Sequence, residues 1–421
     1  MLIYPFSFQK KNTKKKNINN SSSQISCITY IDVISITGID ISVLLIYNGN
    51  NTDIEPFSRV QQSHVLRGAQ MEQYMSMGKG NVASNPQTSV LSSEVTKKWI
   101  DYIDGATLEL IEKMKTAEKS INIGSAEKNG ALLMLQKAFD DFTKKAERFE
   151  QEIDDTSFLR QVRMSFHQKT NDLFSKSYFL NRARTWPQGQ QGDHKTLETV
   201  YRNVPQSDGI GYFLDIAALN TTLAQAIRNR IKMLETILKD ELSKRLRPQV
   251  LNIACGSSRE LVEIAPEIID SRAHITCIDH DNDALSYSQN RLYYTDSLRY
   301  IDFRKYNALR LFDYEIAEQD FGSQDIIYSA GLFDYLDSDF LVKIMNSLYR
   351  LLNPGGKLIA PFKDARQYRS QTYQWLADWD GFLQRAEEDF LAILSEAQIP
   401  ISKIEEQRDE TGAIIFYTIT K

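Results

Sequence analysis

Cysteine is scarce in this sequence of 421 residues, which contains only Cys27, Cys255 and Cys277. Their number is odd and no two of them form a CxxC pair, so the sequence supports neither a disulfide framework nor a zinc site. We therefore expect no bound metal, and a reducing, cytoplasmic location.

Long apolar runs and an excess of positive charge are also missing. The most apolar stretch, residues 25–47, is interrupted by Asp32 and Asp40, and one aspartate at the centre of a membrane span costs roughly 2.5–3.5 kcal/mol. We expect no membrane span.

The formal net charge is -5, whereas surfaces that bind nucleic acid are usually basic. The sequence therefore gives no electrostatic case for a nucleic-acid partner.

The first 70 residues differ in composition from the rest of the chain. They are rich in Asn, Ser, Lys and Ile and show no helical periodicity. A different composition begins at Met71, and the glycines and polar residues that follow it are typical of a flexible segment. We predict that residues 1–93 form a disordered or flexible leader, with Met71 as a possible true start. An additional β-rich element is the alternative.

Helical periodicity begins at Glu94. Apolar residues recur there every three or four positions with charged residues between them, which predicts a helical bundle over residues 94–180, its third helix covering residues 158–174. Residues 181–247 contain a loop rich in Gly and Gln, which we expect to form a lid, and linking helices. The last of these is predicted from Leu223 to Leu246, because Pro248 stops it.

Residues 248–421 alternate short apolar runs with helical stretches, a pattern typical of a mostly parallel sheet with crossover helices. Residues 249–254 predict a strand, which is followed by a tight turn of small residues and then by a helix over residues 261–269. Small residues in such a turn let backbone N–H groups approach a ligand closely. The next strand, Ile275–Asp279, ends in a carboxylate, and in nucleoside-binding sheets a carboxylate at this position binds ribose hydroxyls.

Five segments of this region, in the same order, resemble the motifs of class I S-adenosylmethionine-dependent methyltransferases. VLNIACGSS (250–258) resembles motif I, CIDHDNDAL (277–285) motif II, FRKYNA (303–308) the strand end that touches adenine, QDIIYSAGLFDYL (324–336) motif IV, and NPGG (353–356) the turn into the fifth strand. The resemblance implies an α/β fold: a Rossmann-like, mostly parallel sheet with a C-terminal antiparallel hairpin, preceded by an α-helical N-terminal domain.

The same resemblance implies S-adenosyl-L-methionine as the cofactor. The residues that it places at the cofactor are Ala254, Cys255, Gly256, Ser257, Asp279, His280, Asn307, Ala308, Ser329, Ala330 and Gly331. Motif I departs from the usual pattern, because Asn252 replaces an acidic residue and Ala254 and Ser258 replace glycines. A dinucleotide oxidoreductase is a poor alternative, since the GxGxxG turn that admits a pyrophosphate is absent.

Residues 155–421 resemble, more narrowly, a bacterial group described as extracellular-factor, or 3-hydroxypalmitic acid methyl ester, biosynthesis proteins. The segments that carry this resemblance are residues 182–201, the helix around residues 226–231, CGSSRE, AGLFDYL and WDGFLQRAEEDF. It implies a 3-hydroxy fatty acid carboxylate as the methyl acceptor. His194 stands where we expect a tyrosine, and Gln190 and Gln191 replace an aromatic-containing pair.

Three side chains are candidates for catalysis: His194, Asp334 and Tyr335. A carboxylate acceptor is already anionic and needs no base, whereas an alcohol or amine acceptor needs one within hydrogen-bond reach. For His194 the alternative is a loop residue that faces solvent. Arg228 and Arg230 are candidates to bind an acceptor carboxylate by paired hydrogen bonds, with surface salt bridges as the alternative.

The sequence leaves three functions open. The first is a methyltransferase for a small-molecule acceptor, such as a fatty-acid-like carboxylate. The second is a methyltransferase that modifies a protein or a peptide natural product, with the helical region as a docking module. The third is a non-catalytic regulatory protein that binds S-adenosylmethionine. Nothing in the pattern selects an oligomeric state.

Overall fold

The computed structural model describes residues 28–36, 39–47, 93–121 and 125–421. Contacts divide the chain into two compact units, Met1–Asn85 and Pro86–Lys421. Met71 and most of the expected leader lie outside the described residues. Within the described ranges, no helix is long and apolar enough to span a membrane.

The first unit contains a β-hairpin. Strands β1 (Ile28–Ile36) and β2 (Ile39–Tyr47) pair antiparallel, with Ile28 opposite Tyr47 and Ile36 opposite Ile39. These strands lie within residues 1–93, for which the flexible leader and the β-rich element both stay predictions. Their sequences are rich in Ile and Val, the β-branched residues that favour strands.

Seven helices begin the second unit. They are α1 (Ser93–Ile121), α2 (Ser125–Gln151), α3 (Thr156–Phe174), α4 (Tyr178–Thr185), α5 (His194–Arg202), α6 (Gly209–Leu219) and α7 (Thr222–Ser243). Asp155 starts α3 by accepting hydrogen bonds from the backbone N–H groups of Ser157 and Phe158, as N-cap residues do. Helix α7 ends three residues before the predicted limit, and Arg247 then adopts a positive φ of 54° ahead of Pro248.

A seven-stranded sheet follows, with the order β5-β4-β3-β6-β7-β9-β8. Its strands are β3 (Gln249–Ile253), β4 (His274–Asp279), β5 (Ile301–Lys305), β6 (Gln324–Tyr328), β7 (Leu352–Lys363), β8 (Ile404–Arg408) and β9 (Ile414–Thr420). Strands β3 to β7 pair in parallel, and β9 runs antiparallel to both β7 and β8. The predicted Rossmann-like fold with a C-terminal hairpin is confirmed.

Shorter helices connect these strands: α8 (Arg259–Glu263), α9 (Ala265–Ser271), α10 (Asn282–Leu292), α11 (Tyr314–Phe321), α12 (Ser338–Leu351), α13 (Gln371–Leu376) and α14 (Glu387–Glu396). The single helix expected over residues 261–269 is divided at Ile264. Pro266 explains the division, because proline is tolerated in a first turn but not in a helix interior.

The buried apolar side chains form two clusters, one on each face of the sheet. Alternation along the strands separates them: Val250 and Ile326 face the first cluster, and Leu251 and Ile327 face the second. The first cluster extends from Ile103 in α1 to Phe416 in β9. The helical region and the sheet therefore share one continuous core.

Candidate functional site

The carboxyl ends of β3, β4, β5 and β6 meet at one edge of the sheet, and the predicted cofactor residues follow these ends. The backbone N–H of Cys255 donates to the carbonyl of Ile278 (3.0 Å), and the N–H of Tyr306 donates to the carbonyl of Asp279 (2.9 Å). These bonds bring the turns after β3, β4 and β5 together. In open α/β sheets such an edge is where ligands bind.

The turn after β3 adopts left-handed conformations at three positions. The φ angles are 52° at Ala254, 55° at Gly256 and 43° at Ser258. Ala254 and Ser258 are the two positions where the methyltransferase pattern usually has glycine. A side chain in this conformation costs roughly 1–2 kcal/mol, so the surrounding contacts must hold the turn in place.

Asp279 supports that turn. Its Oδ2 accepts a hydrogen bond from the N–H of Gly256 (2.9 Å), and its Oδ1 accepts one from the N–H of Asp281 (3.0 Å). Burial tends to raise the pKa of Asp279, but these bonds and the adjacent His280 outweigh it and lower the pKa. The carboxylate is thus ionised at neutral pH. It keeps free lone pairs for further donors such as ribose hydroxyls.

Helix α5 lies over the same turn and is held there by Glu198, a residue that the sequence did not single out. The Ser257 hydroxyl donates to Glu198 (2.9 Å), as do the guanidinium groups of Arg291 (2.7 Å) and Arg259 (3.3 Å). Burial raises the pKa of Glu198, and the bond from Arg291 more than offsets this, so the pKa is lowered. The predicted cofactor residue Ser257 therefore joins α5 to the sheet.

His194, the first residue of α5, is buried against the turn. A Cβ added to Gly256 would lie 4.0 Å from the Cβ of His194. The ring nitrogens face Asp281 (3.6 Å) and Asp283 (3.5 Å), and neither has a hydrogen-bond partner in the described part of the chain. Burial lowers the pKa of His194. The alternative of a loop residue that faces solvent is wrong.

Asp334 and Tyr335 follow β6 but are not free bases. Asp334 is 1% exposed; it forms an ion pair with the ammonium of Lys363 and accepts the backbone N–H of Lys363 (3.2 Å). The Tyr335 hydroxyl accepts a hydrogen bond from the indole of Trp379 (2.9 Å), and burial raises the pKa of Tyr335 to about 12. At neutral pH this phenol can donate a hydrogen bond but cannot take a proton.

Arg228 and Arg230 point in different directions. Arg228 donates to the carbonyl of Leu219 at the end of α6 (2.9 Å). Arg230 is 3% exposed and lies beside Gly331, whose added Cβ would be 3.3 Å from its Nη1. Among the described residues, Arg230 donates to the hydroxyl of Tyr201 (3.3 Å), and its Nε has no partner. The structure therefore brings Arg230, not the pair, to the site.

An apolar pocket lies on the same face of α7, one turn before Arg230. Its walls come from α4, α5, α6, α7 and α13, and include Leu180, Val200, Ile227, Tyr373, Leu376 and Trp379. Val200 precedes Tyr201, and Trp379 is bonded to Tyr335. The pocket thus ends next to the polar groups around Arg230.

Within the described ranges, no cluster of His, Cys, Asp and Glu could hold a metal ion. The residues present do fit a nucleoside cofactor. A Cβ added to Gly256 would meet no atom closer than 4.0 Å, and Asp279 has acceptor capacity. Three polar atoms nearby are buried without a partner among the described residues: both ring nitrogens of His194 and Oδ2 of Asp281.

Comparison with known solved structures gives distant similarities. A possible exported protein from Bordetella parapertussis is 15% identical, covering 75% of this chain and 96% of its own, with a TM-score of 0.44. An O-methyltransferase family protein from Burkholderia thailandensis is 13% identical, covering 49% and 62%, with a TM-score of 0.36. The N-methyltransferase NodS from Bradyrhizobium japonicum, in complex with S-adenosyl-L-homocysteine, is 19% identical, covering 45% and 86%, with a TM-score of 0.32. With TM-scores below 0.5, these similarities carry no argument about function.

The comparison with protein families is more informative. No curated protein sequence matches the chain significantly. Residues 251–358, which span β3 to β7, match the family described as "Methyltransferase domain". This match supports S-adenosylmethionine as the cofactor, and residues 251–358 are similar to a methyltransferase domain.

Proposed function

We propose that this protein is an S-adenosylmethionine-dependent methyltransferase that methylates the carboxylate of a small acid with an apolar tail, such as a 3-hydroxy fatty acid. The observation that carries the proposal is Arg230, a buried cation without an acidic partner in the part of the chain that the structure describes. It lies beside Gly331, at the edge where the predicted cofactor residues gather.

The charge balance around Arg230 favours an anionic acceptor. A buried charge is costly unless it is paired. Lys363 and Arg230 lie close enough for Arg230 to contribute to the lowered pKa of Lys363, although burial is the larger cause. Asp334 compensates only one of the two cations, because it is paired with Lys363. One carboxylate on Arg230 would complete the pairing.

The apolar pocket supports the second half of the proposal. Its lining is almost entirely hydrocarbon, and the face of α7 that carries Ile227 continues directly to Arg230. A ligand with its carboxylate on Arg230 can extend its apolar part along this face. Burial of that part would contribute about 0.8 kcal/mol for each CH₂ group.

The proposed chemistry assigns positioning roles to the residues of the site. When bound, the cofactor would supply a methyl group on a sulfonium; attack by a carboxylate oxygen would form the C–O bond of the ester as the C–S bond breaks, and S-adenosylhomocysteine would leave. Arg230 would orient that carboxylate, Asp279 would hold the ribose, and α5 with the preceding loop would exclude water. Proximity and alignment are the main contributions of an enzyme to such a step. No base is required. This agrees with the bonds that Asp334 already forms to Lys363 and with the raised pKa of Tyr335.

The test is a transfer assay with labelled S-adenosylmethionine and a series of 3-hydroxy acids. Arg230→Gln should raise the KM for the acid about 10- to 150-fold, the range for a lost hydrogen bond to a charged group, and leave cofactor affinity unchanged. Arg228→Gln is the matched control and should leave the KM unchanged, because Arg228 bonds to the carbonyl of Leu219. With saturating cofactor, the rate should be flat above about pH 6.

Other outcomes would contradict the proposal. A rate that rises steeply between pH 6 and 8 would indicate an alcohol or amine acceptor that must lose a proton to a base. If the Arg228 and Arg230 substitutions changed the KM for the acid equally, Arg230 would not be the residue that binds the acceptor. Binding of S-adenosylmethionine without turnover of any acid would favour a protein or peptide acceptor, or a regulatory role.

A further inference from the structure

Three buried polar atoms without a partner lie together under α5. They are Nδ1 and Nε2 of His194 and Oδ2 of Asp281. Nδ1 is 3.6 Å from Oδ2 of Asp281, and Nε2 is 3.5 Å from Oδ2 of Asp283, which is itself bonded to Lys195 (2.6 Å). Leaving a buried donor or acceptor unsatisfied costs roughly 1–3 kcal/mol. Such a group of atoms points to a missing hydrogen-bond partner.

The location of these atoms is fixed from both sides. Asp281 donates its N–H to Asp279, and its Oδ1 accepts the N–H of Asp283 (2.8 Å) at the start of α10. This leaves only Oδ2 of Asp281 free. Glu198 holds α5 to the turn after β3, so the His194 side chain, which is 1% exposed, keeps its place over Gly256.

The surrounding charges select the kind of ligand. The carboxylates of Asp279, Asp281 and Asp283 repel an anion, so the group that enters must donate hydrogen bonds. Burial lowers the pKa of His194, and a neutral imidazole offers one donor and one acceptor. A hydroxyl can donate to a carboxylate and also exchange a hydrogen bond with the imidazole. Two neighbouring hydroxyl groups would therefore supply hydrogen bonds to the ring nitrogens of His194 and to Oδ2 of Asp281.

We propose that His194 and Asp281 bind the ribose hydroxyls of the cofactor, together with Asp279, so that α5 forms part of the cofactor site. His194 then contacts the cofactor and not the transferred methyl group. The inference rests on the cofactor named in the proposed function, and it is independent of the acceptor.

The experiment is calorimetric titration of the full chain with S-adenosylhomocysteine and with its 2′-deoxy and 3′-deoxy analogues. The variants are His194→Phe, which keeps a ring of similar size, and Asp281→Asn, which retains the Oδ1 that accepts the N–H of Asp283. His274→Asn is the matched control, since His274 is exposed and pairs with Asp302 away from the site. Melting temperatures of the ligand-free proteins are measured in parallel.

We expect both site variants to bind S-adenosylhomocysteine at least 10-fold more weakly, and to be less sensitive than the wild type to loss of a ribose hydroxyl. The melting temperature of His194→Phe should stay the same or rise, because an apolar ring replaces two unsatisfied nitrogens. The control should bind as the wild type does.

Three results would overturn the inference: unchanged affinity in His194→Phe, a loss of affinity that is equally large for the deoxy analogues, or a fall in melting temperature that accounts for the weaker binding. In each of these the wild type still binds S-adenosylhomocysteine. Failure of the wild type to bind would instead contradict the proposed function itself.

Discussion

A buried carboxyl group, that of Glu260, lies next to Asn252. Motif I usually carries an acidic residue where this chain has Asn252. In the structure the buried carboxyl group is supplied by Glu260, whose Oε1 accepts hydrogen bonds from Asn252 (3.0 Å) and from the hydroxyl of Tyr328 (2.9 Å). Burial raises the pKa of Glu260 from 4.5 to about 7.

This raised pKa makes the free energy of unfolding depend on pH. Between pH 4.5 and 7 the folded protein keeps a proton on Glu260 that the unfolded chain has lost, so stability falls as pH rises through about 7. The difference is at most about 3 kcal/mol. We expect Glu260→Gln to remove this pH dependence. The free energy of unfolding of the variant, relative to that of the wild type, should therefore be higher at pH 8.5 than at pH 5.5. Urea unfolding of both proteins at the two pH values measures this, and a constant difference would contradict it.

Side chains next to the predicted motifs could be located from the sequence, and those that come from distant parts of the chain could not. Asp279 ends an apolar strand, so its place at the sheet edge followed from the pattern. Glu198 bonds to Ser257, 59 residues later, and to Arg291, 93 residues later. No local periodicity carries such contacts, because they depend on how α5 packs on the sheet.

At the scale of elements, the loop between α4 and α5 is fastened to the segment that follows α13. Gln191 donates to the carbonyl of Asp378 (3.1 Å) and accepts the N–H of Gly381 (2.6 Å). Gly192 packs directly on the ring of Trp379, which lines the apolar pocket and bonds to Tyr335. The loop therefore lies against one side of the proposed acceptor site, and its role as a lid stays a prediction.

Two glycines of this loop provide a matched test. Gly192→Ala places a Cβ into the Trp379 ring, whereas Gly189→Ala meets nothing within 4 Å, and both residues have positive φ (65° and 81°). In both variants, backbone strain should lower the free energy of unfolding by roughly 1–2 kcal/mol. In Gly192→Ala alone, overpacking should lower the free energy of unfolding by about 1–3 kcal/mol more. This variant alone should also have a higher KM for the acceptor. Equal KM values for the two variants would show that the loop takes no part in acceptor binding. Chemical unfolding and steady-state kinetics give both quantities.

The prediction of elements was most accurate where one physical signal dominated. Helix α3 was predicted to start two residues later than it does, and β3 and β4 were predicted to within one residue at each end. The division of the predicted helix at Ile264 was missed, because apolar periodicity continues across it and only Pro266 indicates a break.

At the scale of the whole molecule, the helical region and the region of the seven-stranded sheet do not have separate cores. Trp375, in α13 of the sequence-predicted C-terminal domain, is fully buried among Phe142, Phe149 and Phe166 of α2 and α3. Its indole donates to Glu150 (2.7 Å). The sequence did not indicate this packing, because each region shows its own periodicity and nothing in either pattern records the contact between them.

A shared core predicts a single cooperative unfolding transition for residues 86–421. Trp375→Ala should lower the free energy of unfolding by about 3–5 kcal/mol, the usual cost of truncating a buried tryptophan. Because the contacts join both regions, the helical signal and the fluorescence of the remaining tryptophans should shift together in urea. Tyr294→Ala is the control, since Tyr294 is 91% exposed and its loss should change stability by less than about 0.5 kcal/mol. Two separate transitions, with only the helical one displaced by Trp375→Ala, would show that the two regions unfold independently.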